Sequence, residues 1–115
     1  DDTLTRRNTA LYLRRAHLEV DEASNGEEAI RLITSIDEYD VLISDLRMPG
    51  VSDGMDVISC QQRVSPGTSC ILVTAFGSAQ LQKRAQDLAV IYLEKPISLP
   101  DLLSKVTSST ARNTP

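Results

Sequence analysis

Asp40-Val41-Leu42-Ile43-Ser44-Asp45-Leu46-Arg47-Met48-Pro49-Gly50 holds a short continuous apolar run that begins after one aspartate and stops at another. A strand with one wet face would alternate apolar and polar residues; a continuous run predicts a strand covered on both faces, as in parallel sheets. The same shape recurs twice downstream. Cys70-Ile71-Leu72-Val73 stops at Thr74, and Ala89-Val90-Ile91-Tyr92-Leu93 stops at Glu94, Lys95 and Pro96.

Amphipathic stretches separate these runs. Ala29, Ile30, Ile33 and Ile36 lie at helical spacing within Glu27 to Ile36, behind the start signals Ser24, Asn25 and Gly26. Val57, Cys60 and Val64 mark a second helix face, Leu81, Ala85 and Leu88 a third, and Leu99, Leu102, Leu103 and Val106 a fourth behind the cap Ser98. Upstream, Leu4, Leu11 and Leu18 recur every seven residues, which predicts a helix over Leu4 to His17 and a short strand around Leu18 to Asp21. Thr107 to Pro115 is polar and aperiodic, and reads as a tail or linker after a domain spanning residues 1–106.

Alternating strands and helices imply right-handed crossovers and a doubly wound parallel sheet, an α/β fold. Ligands of such sheets bind beyond the carboxyl ends of the strands. Asp45, Thr74 and Lys95 are therefore the candidate chemical groups: a carboxylate, a hydroxyl and an ammonium at successive strand ends. Asp1 and Asp2 add carboxylates, and clustered carboxylates favour a hard cation such as Mg²⁺. A carboxylate can also attack phosphorus, with Lys and hydroxyl stabilising the equatorial oxygens. Taken singly, each of these residues reads as a turn, cap or solvated terminus; their order along the chain favours the chemical reading.

Asp40 to Gly50, Val73-Thr74-Ala75 and Tyr92-Leu93-Glu94-Lys95-Pro96, with Glu22 to Ile30 ahead of them, closely resemble the response-regulator receiver domain of two-component signalling. That resemblance implies a flavodoxin-like five-stranded sheet of order 2-1-3-4-5. It implies Asp45 as phosphoacceptor, Thr74 as the hydroxyl that moves onto the phosphoryl group, Lys95 as its ion partner and Tyr92 as the switch aromatic. Ala75 matches the small position that leaves the phosphoryl group accessible. It further implies Mg²⁺ held by Asp45, the backbone carbonyl of Arg47 and an acidic residue, Asp1 by preference or Asp2. Arg6, five residues after Asp1, stands at the family's offset from its direct metal ligand. The implied partner is a histidine kinase or phosphotransfer domain, with a switching and homodimer face around Ser78 to Val106.

Two departures stand out. The Met48 to Gly54 loop is one residue longer than the common family loop, and the apolar first strand is expected to be absent, leaving only its acidic end. A pseudo-receiver acting through protein contacts is the alternative function. An aspartate-nucleophile phosphohydrolase fits less well, because it places a second Asp two residues after the nucleophile, where this chain has Arg47.

With 115 residues, 41% of them hydrophobic, the chain has the size of one domain. A net charge of −4 gives no field that would draw it onto nucleic acid or an anionic membrane. No apolar run is long enough to span a bilayer, and the two cysteines read as reduced thiols, so a soluble cytoplasmic protein is expected.

Overall fold

The computed structural model describes residues 3–35, 39–45, 54–75 and 77–112. In chain order these form α1 (Thr3–Arg15), α2 (Gly26–Ser35), β1 (Val41–Asp45), α3 (Gly54–Val64), β2 (Ser69–Thr74), α4 (Ala79–Asp87), β3 (Ile91–Glu94) and α5 (Leu99–Arg112). The strands pair in parallel in the order β1-β2-β3, with Asp45 beside Val73 and Thr74 beside Glu94.

Successive residues of β2 serve opposite faces of the sheet, as the strand period of two requires. Cys70 and Leu72 pack with Met55, Ile58, Ala85 and Val90 beneath α3 and α4. Ile71 and Val73 pack with Val106 of α5 on the other side, joined by Ile43, Ile91 and Leu93. A third cluster ties Ala29 and Ile33 of α2 to Val57 and Cys60 of α3. The expected α/β doubly wound arrangement is thus present, with β2 covered on both faces.

The helix starts follow their local chemistry. The Glu28 N–H donates to Asn25 Oδ1 (2.8 Å) while Glu28 Oε1 accepts from the Ser24 N–H (2.7 Å), so side chain and backbone cap each other at the start of α2. The Ser24 N–H also holds the Glu28 carboxyl below its ordinary value. Ser78 caps α4 by accepting from the Leu81 N–H, and Ser98 caps α5 by accepting from the Asp101 N–H.

α1 and α4 end alike. His17 N–H donates to Arg14 O and Leu18 N–H to Leu13 O; Ala89 N–H donates to Gln86 O and Val90 N–H to Ala85 O. These are paired Schellman closures, which place the residue after the cap in the left-handed region. His17 (φ 70°) and Ala89 (φ 58°) occupy that position without being glycine.

Three expectations need correction. Leu18 to Asp21 forms no strand, and in the expected order 2-1-3-4-5 the reason is plain: that segment would pair only with the first strand. The leucine heptad does not set the inner face of α1. Leu4 and Leu11 are exposed, and Ala10 and Leu13 are buried instead. The polar tail is shorter than residues 107–115, since α5 continues to Arg112, Thr107 Oγ1 bonds back to Leu103 O (3.0 Å) and Ser109 is fully buried.

Candidate functional site

β1 and β2 both stop where their apolar runs stop, so Asp45 and Thr74 come to one edge of the sheet. The Lys95 N–H donates to Thr74 O (2.8 Å), which carries the β2-β3 pairing one residue beyond β3 and fixes where Lys95 departs. The peptide bond between Lys95 and Pro96 is cis. From there Lys95 Nζ donates to Asp45 Oδ2 at 2.5 Å, across the end of the intervening strand. Asp45 is 14% exposed and Lys95 29%. Partial burial strengthens such a charge-assisted hydrogen bond over a fully solvated pair.

Thr74 is fully buried at the end of β2. Tyr92, two residues along β3 from Glu94 and therefore on the same face, is half-buried and donates its hydroxyl to Glu94 Oε2 (2.9 Å). Desolvation, and next the bond to Glu94, raise the Tyr92 hydroxyl above its ordinary value. Gly77 lies directly against this pair: a Cβ there would collide with Tyr92 Oη and Glu94 Oε2. Glu94 had no role in the sequence reading, although its i+2 spacing from Tyr92 on a strand was the available signal.

Arg14 anchors the segment after α1. It donates to Val20 O (2.6 Å) and pairs with Glu22, which also pairs with Arg6.

The structure therefore brings Asp45 and Lys95 together, with Thr74 at the strand end between them. Asp1, Asp2 and Arg47, the other candidate Mg²⁺ ligands, and the long Met48 to Gly54 loop up to residue 53 lie outside the described residues. Among the described residues no group of three or more His, Cys, Asp or Glu comes together. Asp45 offers a hard carboxylate donor at a solvent-reached strand end, the donor type Mg²⁺ takes from proteins.

Comparison with known proteins places this arrangement. The model of the response regulator receiver domain matches residues 1–107. The chain belongs to the receiver domain family. Over 116 residues it is 35% identical to the transcriptional regulatory protein PdtaR of Mycobacterium tuberculosis, covering 97% of this chain and 54% of that protein. It is 34% identical over 108 residues to the transcriptional regulatory protein ResD of Bacillus subtilis, covering 92% of this chain and 43% of that one. This receiver thus spans roughly half the length of the curated relatives it matches. A CheY-like receiver domain protein from Methanospirillum hungatei superposes with a TM-score of 0.90 at 22% identity, over 97% of this chain and 89% of that one, which establishes the shared fold. Among the described residues no helix is long and apolar enough to cross a membrane.

Proposed function

We propose that this receiver accepts a phosphoryl group on Asp45 from a phosphohistidine donor and relays the event through Thr74 and Tyr92. The observation that carries the reading is the 2.5 Å contact between Lys95 Nζ and Asp45 Oδ2 at the sheet edge. A carboxylate oxygen of Asp45 forms the bond to phosphorus as the bond from phosphorus to the donor's imidazole nitrogen breaks. The imidazole leaves with the electron pair and takes its proton from solvent. Lys95, already within reach of the acceptor carboxylate, pairs with a phosphoryl oxygen in the product. Its positive charge is in place before the anion forms, so little reorganisation is required.

Mg²⁺, when bound by Asp45 with Asp1 or Asp2 and the Arg47 carbonyl, supplies charge neutralisation for the phosphoryl oxygens. The Thr74 hydroxyl donates to a second phosphoryl oxygen. That shift vacates space near β2 and favours inward turning of Tyr92, away from Glu94, so the face from Ser78 to Val106 changes its surface. Hydrolysis of the acyl phosphate resets the domain, which acts as a phosphoryl acceptor rather than as an enzyme with a separate substrate.

Beryllofluoride, which completes a phosphoryl-like group on an aspartate, tests the reading. With Mg²⁺ present it should shift the amide resonances of Asp45, Thr74 and Tyr92 saturably in wild type and not in Asp45→Asn. Equal responses from both proteins would contradict the phosphoacceptor role and favour a receiver that acts through protein contacts alone.

A further inference from the structure

The two ends of α4 are fastened unequally. In its amino half Ala79, Gln80, Gln82 and Lys83 are exposed and Leu81 is half-buried, whereas Ala85 is fully buried and packs with Leu88 and Val90 in the core beneath α3. Apolar burial therefore holds the carboxyl end more firmly than the amino end. A polar fastening adds to it. The last carbonyls of a helix lack an intrahelical donor. Here Arg84 O, Ala85 O and Gln86 O accept from the N–H groups of Leu88, Val90 and Ala89, and the Leu88 carbonyl is met from another element: Gln62 Nε2 of α3 donates to it at 2.9 Å.

That carbonyl belongs to the peptide unit joining Leu88 to Ala89, so holding its oxygen constrains ψ of Leu88 (3°) and φ of Ala89 (58°) together. A left-handed alanine persists where neighbouring contacts over-determine it, and the Gln62 bond is such a contact. Its base is rigid. Ile58 and Gln61, on the same stretch of α3, are almost wholly buried, and Gln61 Nε2 bonds Thr68 Oγ1 just before β2 (3.3 Å). The amino end of α4 is held differently: Ser78 Oγ caps it, and the Tyr92 hydroxyl lies against Gly77, the residue before that cap. This is the end that a change of Tyr92 rotamer reaches.

We propose that Gln62 is a positioning residue: its bond to the Leu88 carbonyl makes the carboxyl end of α4 a fixed pivot, so that the turning of Tyr92 displaces the amino end alone. The inference rests on the switching role given to Tyr92 above, while the pin itself is a property of the resting protein.

Residue-resolved amide measurements on wild type and Gln62→Met, which keeps the length of the side chain without its N–H donor, test this in two arms. In the resting protein, hydrogen exchange at Leu88, Ala89 and Val90 should be roughly five- to tenfold faster in the variant, the loss expected of one hydrogen bond. Exchange at Leu81 and Gln82, and at Ile58 and Ile71 in the core, should stay as in wild type. With beryllofluoride and Mg²⁺ added, amide shifts within α4 should be confined to its first half in wild type and should extend to Leu88, Ala89 and Val90 in the variant. Unchanged resting exchange at those three amides would overturn the proposal. So would an equal loss of protection at both ends of α4 and in the core, which would make Gln62 a general stabiliser of the fold. Wild-type shifts of equal size at both ends would overturn the pivot. Absence of any wild-type response to beryllofluoride would contradict the phosphoacceptor reading and the pivoting with it, while resting exchange would still decide whether Gln62 pins α4.

Discussion

Lys95 Nζ stands 2.5 Å from Asp45 Oδ2, joining residues fifty positions apart in sequence across the end of β2. The contact forms because β1 and β3 flank β2 in parallel and each run stops at the same edge. Removing the lysine should therefore act on both stability and chemistry. Lys95→Ala leaves a largely buried carboxylate without that partner, at a cost of about 1–3 kcal/mol to folding. It should also slow phosphoryl uptake from a small donor about 100-fold, the loss typical of one preorganised donor. Urea unfolding and uptake kinetics on the same preparation read the two effects.

Gly77→Ala should displace Tyr92. The added methyl group meets Tyr92 Oη and Glu94 Oε2, so one side chain must leave the bond that holds the hydroxyl outward. Tyr92 then samples other rotamers before any phosphoryl group arrives. The measurable outcome is a shift of the Tyr92 ring resonances in the unmodified protein toward their positions in the beryllofluoride state. Unchanged ring resonances would show that Glu94 and Gly77 do not set the tyrosine's resting position.

Ala89→Gly should stabilise the protein. At φ 58° the alanine Cβ crowds the backbone, a strain of about 1–2 kcal/mol. Glycine removes that strain but adds unfolded-state entropy of about 0.5–1 kcal/mol, so the relief wins by about 0.5–1 kcal/mol. Thermal unfolding of the variant should show the gain, and His17→Gly at φ 70° should behave alike.

Burial in the core raises the Cys70 thiol from its ordinary 9.0 to about 11. The folded protein therefore keeps this proton where the unfolded chain has lost it. The stability it contributes is complete below pH 9 and falls away as pH rises from 9 through 11. Burial also shields both thiols from reagent: at pH 8 Cys60 and Cys70 should be alkylated far more slowly in the native protein than in denaturant. Rapid native-state labelling of Cys70 would contradict its burial.

Much of the candidate site was legible because each strand is a continuous apolar run that ends abruptly. Asp45, Thr74 and Lys95 could be found by asking where those runs stop, and the parallel topology then forced them to one edge. Other features were hidden for physical reasons. Leu18 to Asp21 has strand composition but no strand partner among the described residues, and a strand is a property of pairs. The last turns of α5 are Ser- and Thr-rich, and only tertiary packing makes Ser109 a buried position. In α1 the heptad leucines misled, since the small Ala10 rather than Leu11 fits the interior. Glu94 escaped notice because its importance depends on Gly77, a loop residue distant in sequence.

The central claim is that Asp45 is the phosphoacceptor, and intact-mass measurement with site mapping tests it most directly. After incubation with acetyl phosphate and Mg²⁺, wild type should gain the mass of one phosphoryl group, mapped to Asp45 and lost on chelation of Mg²⁺ before the donor is added. Asp45→Asn should gain nothing under the same conditions. A phosphoryl group on another residue, or equal gain by the variant, would contradict the account.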